Sequence, residues 1–423
     1  MCAQHIQQKK SWLSTPVIYA LMILLGILSG YSDIALLKNF GLLIADLFIK
    51  IFKCISLPII ALSIIVTISN YRTDGLMRTV WRRAMTYTLG TTFVAAAISC
   101  LLYLLIHPHM IGLAQTKNVL IEPSSQLGYF QHIANLIPST IFEPFLQHQV
   151  MGVLLIGIIV GIAIRYIPEP EARLTITQFF RGAHSLFMVV TNWVITIIPL
   201  GLYGFITTTV IQLRGGMAIK GIGEYLLIIV LANLIQGFVI LPLWLKFQGI
   251  KPFAAFKGML PALSVAFFSK SSVGTLPVTM ETAEKNLNIK PEISRFVLPL
   301  CTSLNMNGCA AFIFATVIYL MQNNGIEISF AMMAMWVVIA TIAAIGNAGV
   351  PMGCFFLSAS LLASMNVPIT LMGIILPFYS LIDMLETALN VWSDSCVAKV
   401  VDEKIKQSEA TISEPQMQPA GNN

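Results

Sequence analysis

Residues 381–399 read LIDMLETALNVWSDSCVAK and sit inside a long apolar run over 368–399. Within them Asp383, Glu386, Thr387, Asn390 and Asp394 recur at i, i+3, i+4, i+7 and i+11. At 3.6 residues per turn these positions form one narrow helical stripe. Leu381, Ile382, Leu385, Leu389 and Val391 occupy the other faces. A carboxylate at bilayer depth costs roughly 2.5–3.5 kcal/mol on insertion scales. Three carboxylates on one stripe therefore need cations, amine groups or protein partners, and the stripe predicts an enclosed polar locus.

The setting is a membrane. Of 423 residues, 57% are hydrophobic and 10% charged, against about a quarter charged in soluble domains. That much apolar surface cannot be hidden inside a water-soluble globule of this size, which excludes secreted enzymes, cytosolic enzymes and disordered proteins. At roughly 20 residues per span the chain holds about eight spans. Apolar runs place them near 15–31, 40–70, 82–106, 145–167, 175–208 and 222–248. The N-terminal MCAQHIQQKK has no cleavable signal pattern.

Beyond residue 248 the runs are interrupted. FSKSSVGTLP (268–277) breaks 252–290, CTSLNMNG (301–308) breaks 293–322, and GNAGVPMG (346–353) breaks 329–367. The net charge of +6 sits in short connections and reports topology, not nucleic-acid binding. Lys9 and Lys10, Arg72 to Arg83, Arg165 to Arg181, Lys246 to Lys257 and Lys399 to Lys406 fall on one side if the N-terminus is cytoplasmic; Lys38, Lys117, Arg214 and Lys220 fall opposite. That holds only if 252–290 and 329–367 each enter and leave from one face, as re-entrant hairpins. A bare turn cannot face lipid but can line a protein cavity. Two similar halves entering from opposite faces suggest inverted repeats around a mid-membrane site. The expected fold is thus all-α: eight transmembrane helices plus two re-entrant hairpins. A cytoplasmic tail over 1–11, spans 1–6 over 12–248, a core over 252–402 and a loose cytoplasmic tail over 403–423 complete it.

Sodium, as a hard cation, should take oxygen ligands. Asp394 and Asn390, with carbonyls from a broken neighbouring helix, would supply them, and Asp383 would hold a substrate ammonium. Asn305 and Asn307 point to nearly opposite sides of a regular helix. Either the helix unwinds at 305–308 and exposes carbonyls, or the asparagines make a helix–helix contact. A salt bridge from Lys270 to Glu386 would neutralise both. The seven cysteines have no close pairing and read as packing residues. His107, His109 and His132 read as solvated. No phosphate-binding loop, H-E-x-x-H or G-x-S-x-G occurs, leaving no visible machinery for ATP-driven transport or hydrolysis.

Residues 260–400 resemble the dicarboxylate/amino acid:cation symporter family, the glutamate transporter fold. SKSSVGTLPVTM (269–280) is similar to its serine-rich first hairpin, NMNG (305–308) to its NMDGT, IGNAGVP (345–351) to its second hairpin, and D-x-x-E-T-x-x-N-x-x-x-D (383–394) to its last span. SLPIIALSIIV (56–66) and YTLGTT (87–92) fit more loosely. The resemblance implies that Ser271 and Ser272, Asn390 and the tip from Val350 through Met352 to Gly353 hold the substrate carboxylate and amine. Asp383 and Thr387 would take the amino group, with Cys309 and Glu386 nearby. One sodium site would comprise Asp394, Asn305, Asn390 and the Cys301 carbonyl. A second would use Ser303 with carbonyls near Ala344, Ile345 and Asn347. A third would use Thr91, Thr92 and Asn305.

Three positions depart from the family pattern. Glu386 replaces an arginine that holds acidic side chains, Asn307 replaces the NMDGT aspartate, and Cys309 replaces its threonine. A carboxylate at 386 repels acidic cargo, and ETALN resembles the family's bacterial serine/threonine branch. The resulting expectation is a Na⁺-coupled importer of serine, threonine or alanine by alternating access, homotrimeric, in the inner membrane, with both termini cytoplasmic and no enzymatic activity. Cationic or acidic amino acids, dicarboxylates with proton coupling, and an ion channel are the alternatives.

Overall fold

The computed structural model describes residues 15–69, 76–111, 138–146, 150–214, 220–347, 349, 352–365 and 367–413. Among these the regular structure is helical, with no strand. The helices are α1 (Thr15–Tyr31), α2 (Ala35–Ser69), α3 (Leu76–Ile106), the short α4 (Glu143–Leu146), α5 (Val150–Arg165) and α6 (Pro170–Arg214). Then come α7 (Lys220–Ile235), a π turn at Gln236–Ile240, and α8 (Leu241–Phe247). Last are α9 (Pro252–Ser269), α10 (Ser272–Asn286), α11 (Pro291–Leu304), α12 (Asn307–Asn323), α13 (Phe330–Ala344), a 3₁₀ turn at Ile345–Asn347, α14 (Gly353–Ser364) and α15 (Thr370–Ser413).

Every break expected after residue 248 is a helix interruption, and each has a local cause. Lys270 adopts the left-handed conformation (φ 55°) and ends α9, after which the Ser271 hydroxyl accepts from the Gly274 N–H at 3.0 Å and starts α10. Asn305 and Met306 leave helical geometry between α11 and α12. Gly349 (φ 63°) and Met352 (φ 61°) turn the chain between α13 and α14. The π turn, unforeseen, carries Gln236 into the interior; such bulges insert one residue per turn and recur at functional sites.

The α11–α12 unit is the centre of the molecule, and its apolar stretch is wholly buried. α12 packs against α3, α7, α13, α14 and α15. α6 runs along α1 and α2, and α5 lies on α2. Large apolar side chains such as Leu28, Leu36, Phe179 and Trp193 stay exposed on α1, α2 and α6, as expected of a surface solvated by lipid. α15 continues past the last apolar run to Ser413, with Lys399–Glu403 and Lys406–Asp402 pairs at 2.6 Å on its polar end. His109 is not simply solvated, since its Nδ1 lies 2.8 Å from a Glu224 carboxylate oxygen. Lys117, His132 and residues 1–11 lie outside the described residues.

Gly204 on α6 lets that helix approach α2 closely. A Cβ there would stand 2.6 Å from the Ala45 backbone nitrogen and 2.8 Å from the Gly41 carbonyl oxygen, whereas Gly182 on the same helix faces open space. Gly204→Ala should lower the thermal unfolding midpoint in detergent by an amount corresponding to about 1–3 kcal/mol. Gly182→Ala should leave the midpoint unchanged or raise it.

Candidate functional site

The α15 stripe is enclosed as its spacing predicts. Asp383, Glu386, Thr387, Asn390 and Asp394 are all buried. The break at 305–306 decides the geometry around them. Asn305 and Asn307, on opposite sides of a regular helix, are brought together, and the Asn307 side-chain amide donates to Asn305 Oδ1 at 2.8 Å. The break and the asparagine contact occur together, while the Cys301 and Met306 carbonyls beside it accept the Asn305 and Ala310 N–H groups. The helix unwinds, at 305–306 only, and the two asparagines become a polar junction. Asn305 donates to Ser393 Oγ at 2.9 Å and to Asp394 Oδ1 at 3.0 Å. Thr302 Oγ1 lies 3.5 Å from Asp394 Oδ2, and Thr91 Oγ1 donates to Asn305 Oδ1 at 2.9 Å. Asn390 accepts the Gly308 N–H at 2.9 Å.

The second locus forms around Asp383, whose Oδ2 accepts the Met352 backbone N–H at 3.1 Å. Thr387 donates to the Asp383 carbonyl at 2.7 Å. The two helix–break–helix units meet here: the Gly349 carbonyl accepts from Ser271 Oγ at 3.4 Å and from the Val273 N–H at 3.5 Å. Ser272 is buried and Gly353 is half-buried beside them. Val350 lies outside the described residues.

Several expected residues are arranged otherwise. Lys270 does not bridge to Glu386: its Nζ donates to Ser380 Oγ at 2.6 Å. The reason is the left-handed turn at Lys270, which seats the side chain near the start of the stripe, about a turn and a half before Glu386. Glu386 Oε2 accepts from the Tyr379 hydroxyl at 3.2 Å, while its Oε1 has no hydrogen-bond partner among the described residues. The Cys301 carbonyl already accepts the Asn305 N–H at 2.7 Å. Ala344 and Ile345 close α13, but Asn347 turns its amide to Cys309 Sγ at 2.8 Å, and its Oδ1 has no partner among the described residues. Ser303 is half-buried. The packing-only reading of the cysteines is corrected, because Cys309 and Cys354 are disulfide-bonded, with Cα atoms 5.4 Å apart.

Spacing arguments also missed four contributors. Ser393 stands two turns after Glu386, on the edge of the stripe. Gln236 donates to Asn307 Oδ1 at 2.7 Å and to the Thr91 carbonyl at 3.1 Å. Met306 Sδ faces the Asn347 and Asn390 amides, and Tyr379 holds Glu386. A glutamine in the apolar run 222–248 was a legible signal, since polar groups at membrane depth are rarely idle; nothing local marked Tyr379.

Chemically, the first locus offers carboxylate, amide and hydroxyl oxygens, the donor set a hard monovalent cation requires. The buried Thr92 Oγ1 has no partner among the described residues. The second locus pairs a buried carboxylate with backbone N–H groups at helix starts, which suits a molecule bearing both an ammonium and a carboxylate.

Such a fold and site define a multi-pass membrane transporter. Residues 13–404 match the sodium:dicarboxylate symporter family, and the chain belongs to it. It is similar to the Neutral amino acid transporter B(0) of Oryctolagus cuniculus, 26% identical over 410 residues that span 88% of this chain and 75% of the relative. The human protein of that name is 26% identical over 409 residues, with the same coverage. The Neutral amino acid transporter A of Bos taurus is 27% identical over 271 residues, 63% of this chain and 51% of the relative.

Removing the Asn305 amide leaves the buried Asp394 carboxyl with only the longer Thr302 contact. Asn305→Ala should cost about 1.5–3 kcal/mol, read as a lowered unfolding midpoint in detergent. An unchanged midpoint would mean that the Asn305–Asp394 contact does not hold the junction together.

Proposed function

We propose that this chain is a sodium-coupled symporter that imports a neutral amino acid, with serine, threonine or alanine as cargo. The observation that carries this reading is the meeting of both chain breaks, at Gly349 and Ser271, beside the buried Asp383. In this reading the cargo ammonium displaces the Met352 N–H from Asp383. Backbone N–H groups near Ser271 and Ser272 and those of Met352 and Gly353 take the carboxylate, with Thr387 and Asn390 bounding the site. The names of the relatives support an amino acid as cargo. Glu386 then replaces a cation and disfavours acidic side chains, and its Oε1, without a hydrogen-bond partner among the described residues, can accept a cargo hydroxyl.

Sodium would be held by Asp394, Asn305 and Asn390, and by Ser303 with carbonyls from 344 to 347. The third expected site is assigned no ion: the Gln236 and Asn307 amides already donate to the oxygens around Thr91 and Asn305, and an ion would need them to turn over. Coupling is linkage, since ion and cargo each order the same second break and so raise one another's affinity. The units 252–290 and 329–367 are taken as re-entrant from opposite faces, moving with spans 3, 6, 7 and 8 against a scaffold of spans 1, 2, 4 and 5. A homotrimer in the inner membrane with cytoplasmic termini completes the proposal.

The same Glu386 oxygen favours a second reading, a cationic amino acid whose side chain pairs with it. In proteoliposomes, uptake of radiolabelled serine should saturate and rise with an inward sodium gradient. Serine, threonine and alanine should compete, and lysine and aspartate should not. Unsaturable flux without sodium dependence would overturn the symporter reading in favour of a channel. Asp394→Asn should abolish the sodium stimulation.

Glu386→Gln separates the two cargo readings. With a hydroxylated cargo, the apparent affinity should change less than about tenfold, because the amide oxygen still accepts a hydrogen bond. With a cationic cargo it should fall about a hundredfold or more, as when one partner of a buried charge pair is removed.

A further inference from the structure

α3 opens with a basic and aromatic surface that the transport reading leaves unused. Arg78 and Arg82 are exposed and Arg83 is half-buried. Among the described residues no ion pair reaches any of the three, and Arg83 Nη1 has no hydrogen-bond partner. Together with Trp81, Thr86 and Tyr87 they line a surface cavity of about 690 Å³. From α5 the Arg165 guanidinium lies over the Trp81 ring, 5.6 Å from its centre, and brings a fourth positive charge alongside. Tyr87 meets Trp244 edge-on with ring centres 5.5 Å apart.

Depth in the membrane sorts the anions that could fit. The apolar span of α3, Arg78–Ile106, has 29 residues. At 1.5 Å per residue that is about 43 Å, against a hydrocarbon core of about 30 Å. Its first residues therefore stand in the headgroup layer, where Trp and Tyr also concentrate. Guanidinium groups there can grip a phosphate diester through paired N–H donors. The helix face that continues from them is apolar. Leu89 and Phe93 follow Arg82 at i+7 and i+11, both are exposed, and Gly90 beside them faces open space. A free phosphate would use the arginines alone, whereas a lipid uses both parts of this surface.

We propose that Arg78, Arg82 and Arg83 form a binding site for an anionic glycerophospholipid. Its headgroup phosphate sits among the three guanidinium groups beside Trp81, and an acyl chain runs along Leu89, Gly90 and Phe93. The site does not depend on the cargo or the ions assigned above.

The test titrates the full chain in detergent with phosphatidylglycerol or phosphatidylcholine and counts bound lipid by native mass spectrometry. A basic residue at an anionic surface contributes about fivefold in binding. Wild type should therefore hold phosphatidylglycerol at least about 25-fold more tightly than phosphatidylcholine. Replacing two arginines together, Arg82→Gln with Arg83→Gln, should weaken phosphatidylglycerol by about 25-fold and leave phosphatidylcholine unchanged. Arg181→Gln, which alters an exposed arginine of α6 outside the cavity, should keep the wild-type preference. Phosphatidylglycerol brominated on its acyl chains should quench tryptophan fluorescence, and the quenching should shrink in Trp81→Phe. That measurement needs no arginine variant, so it decides the site even where the double variant does not fold. Equal affinity for the two lipids, a preference surviving in the double variant, the same loss in Arg181→Gln, or quenching indifferent to Trp81→Phe would each overturn the site. Displacement of bound phosphatidylglycerol by excess glycerol 3-phosphate would overturn the lipid in favour of a free phosphate.

Discussion

A carboxylate enclosed by protein at membrane depth has to be answered by something, and this requirement organises the structure. Asp394 is answered by Asn305 and Thr302, and Asp383 by the Met352 N–H. Neither answer is available to an unbroken helix. Asn305 reaches Asp394 because α11 ends at Leu304, and Met352 offers its N–H because the chain turns through a left-handed residue before α14. The breaks and the acids thus require each other: the acids need free donors, and the breaks free backbone groups that only a polar interior can satisfy.

The same logic explains why the surrounding helices are so apolar. α12 is ringed by α3, α7, α13, α14 and α15, so its interrupted start never meets lipid. α1, α2, α5 and α6 pack on one another, and α2 and α6 also touch α14 and α15, with small residues where backbones approach and large apolar side chains facing out. One group is closely packed and regular, the other interrupted and polar within.

Substitutions relative to the family pattern fall together in space. Asn307, Cys309 and Glu386 lie around one point, where Gly308 packs its backbone on Glu386 so closely that a Cβ would stand 2.8 Å from the Glu386 Cα. Relative to the resembled pattern, the carboxylate is missing at 307 and present at 386, one turn of α15 from Asp383. The Gln236 amide, delivered by the π turn, donates to the Asn307 side chain there.

Much of this was legible in the chain itself. The apolar composition required a membrane, the period of 3.6 put Asp383, Glu386, Thr387, Asn390 and Asp394 on one face, and Ser, Gly and Pro clusters marked the interruptions at 268–277 and 346–353, while that at 305–306 stayed one of two readings; these are local consequences of solvation and backbone geometry. Partnerships were not legible. Nothing in the spacing said that Lys270 would turn to Ser380, that Cys309 would meet Cys354, or that Gln236 would reach Asn307. Such pairings depend on how helices cross and where a broken backbone points its next residue. Those directions are fixed only when all the helices pack at once.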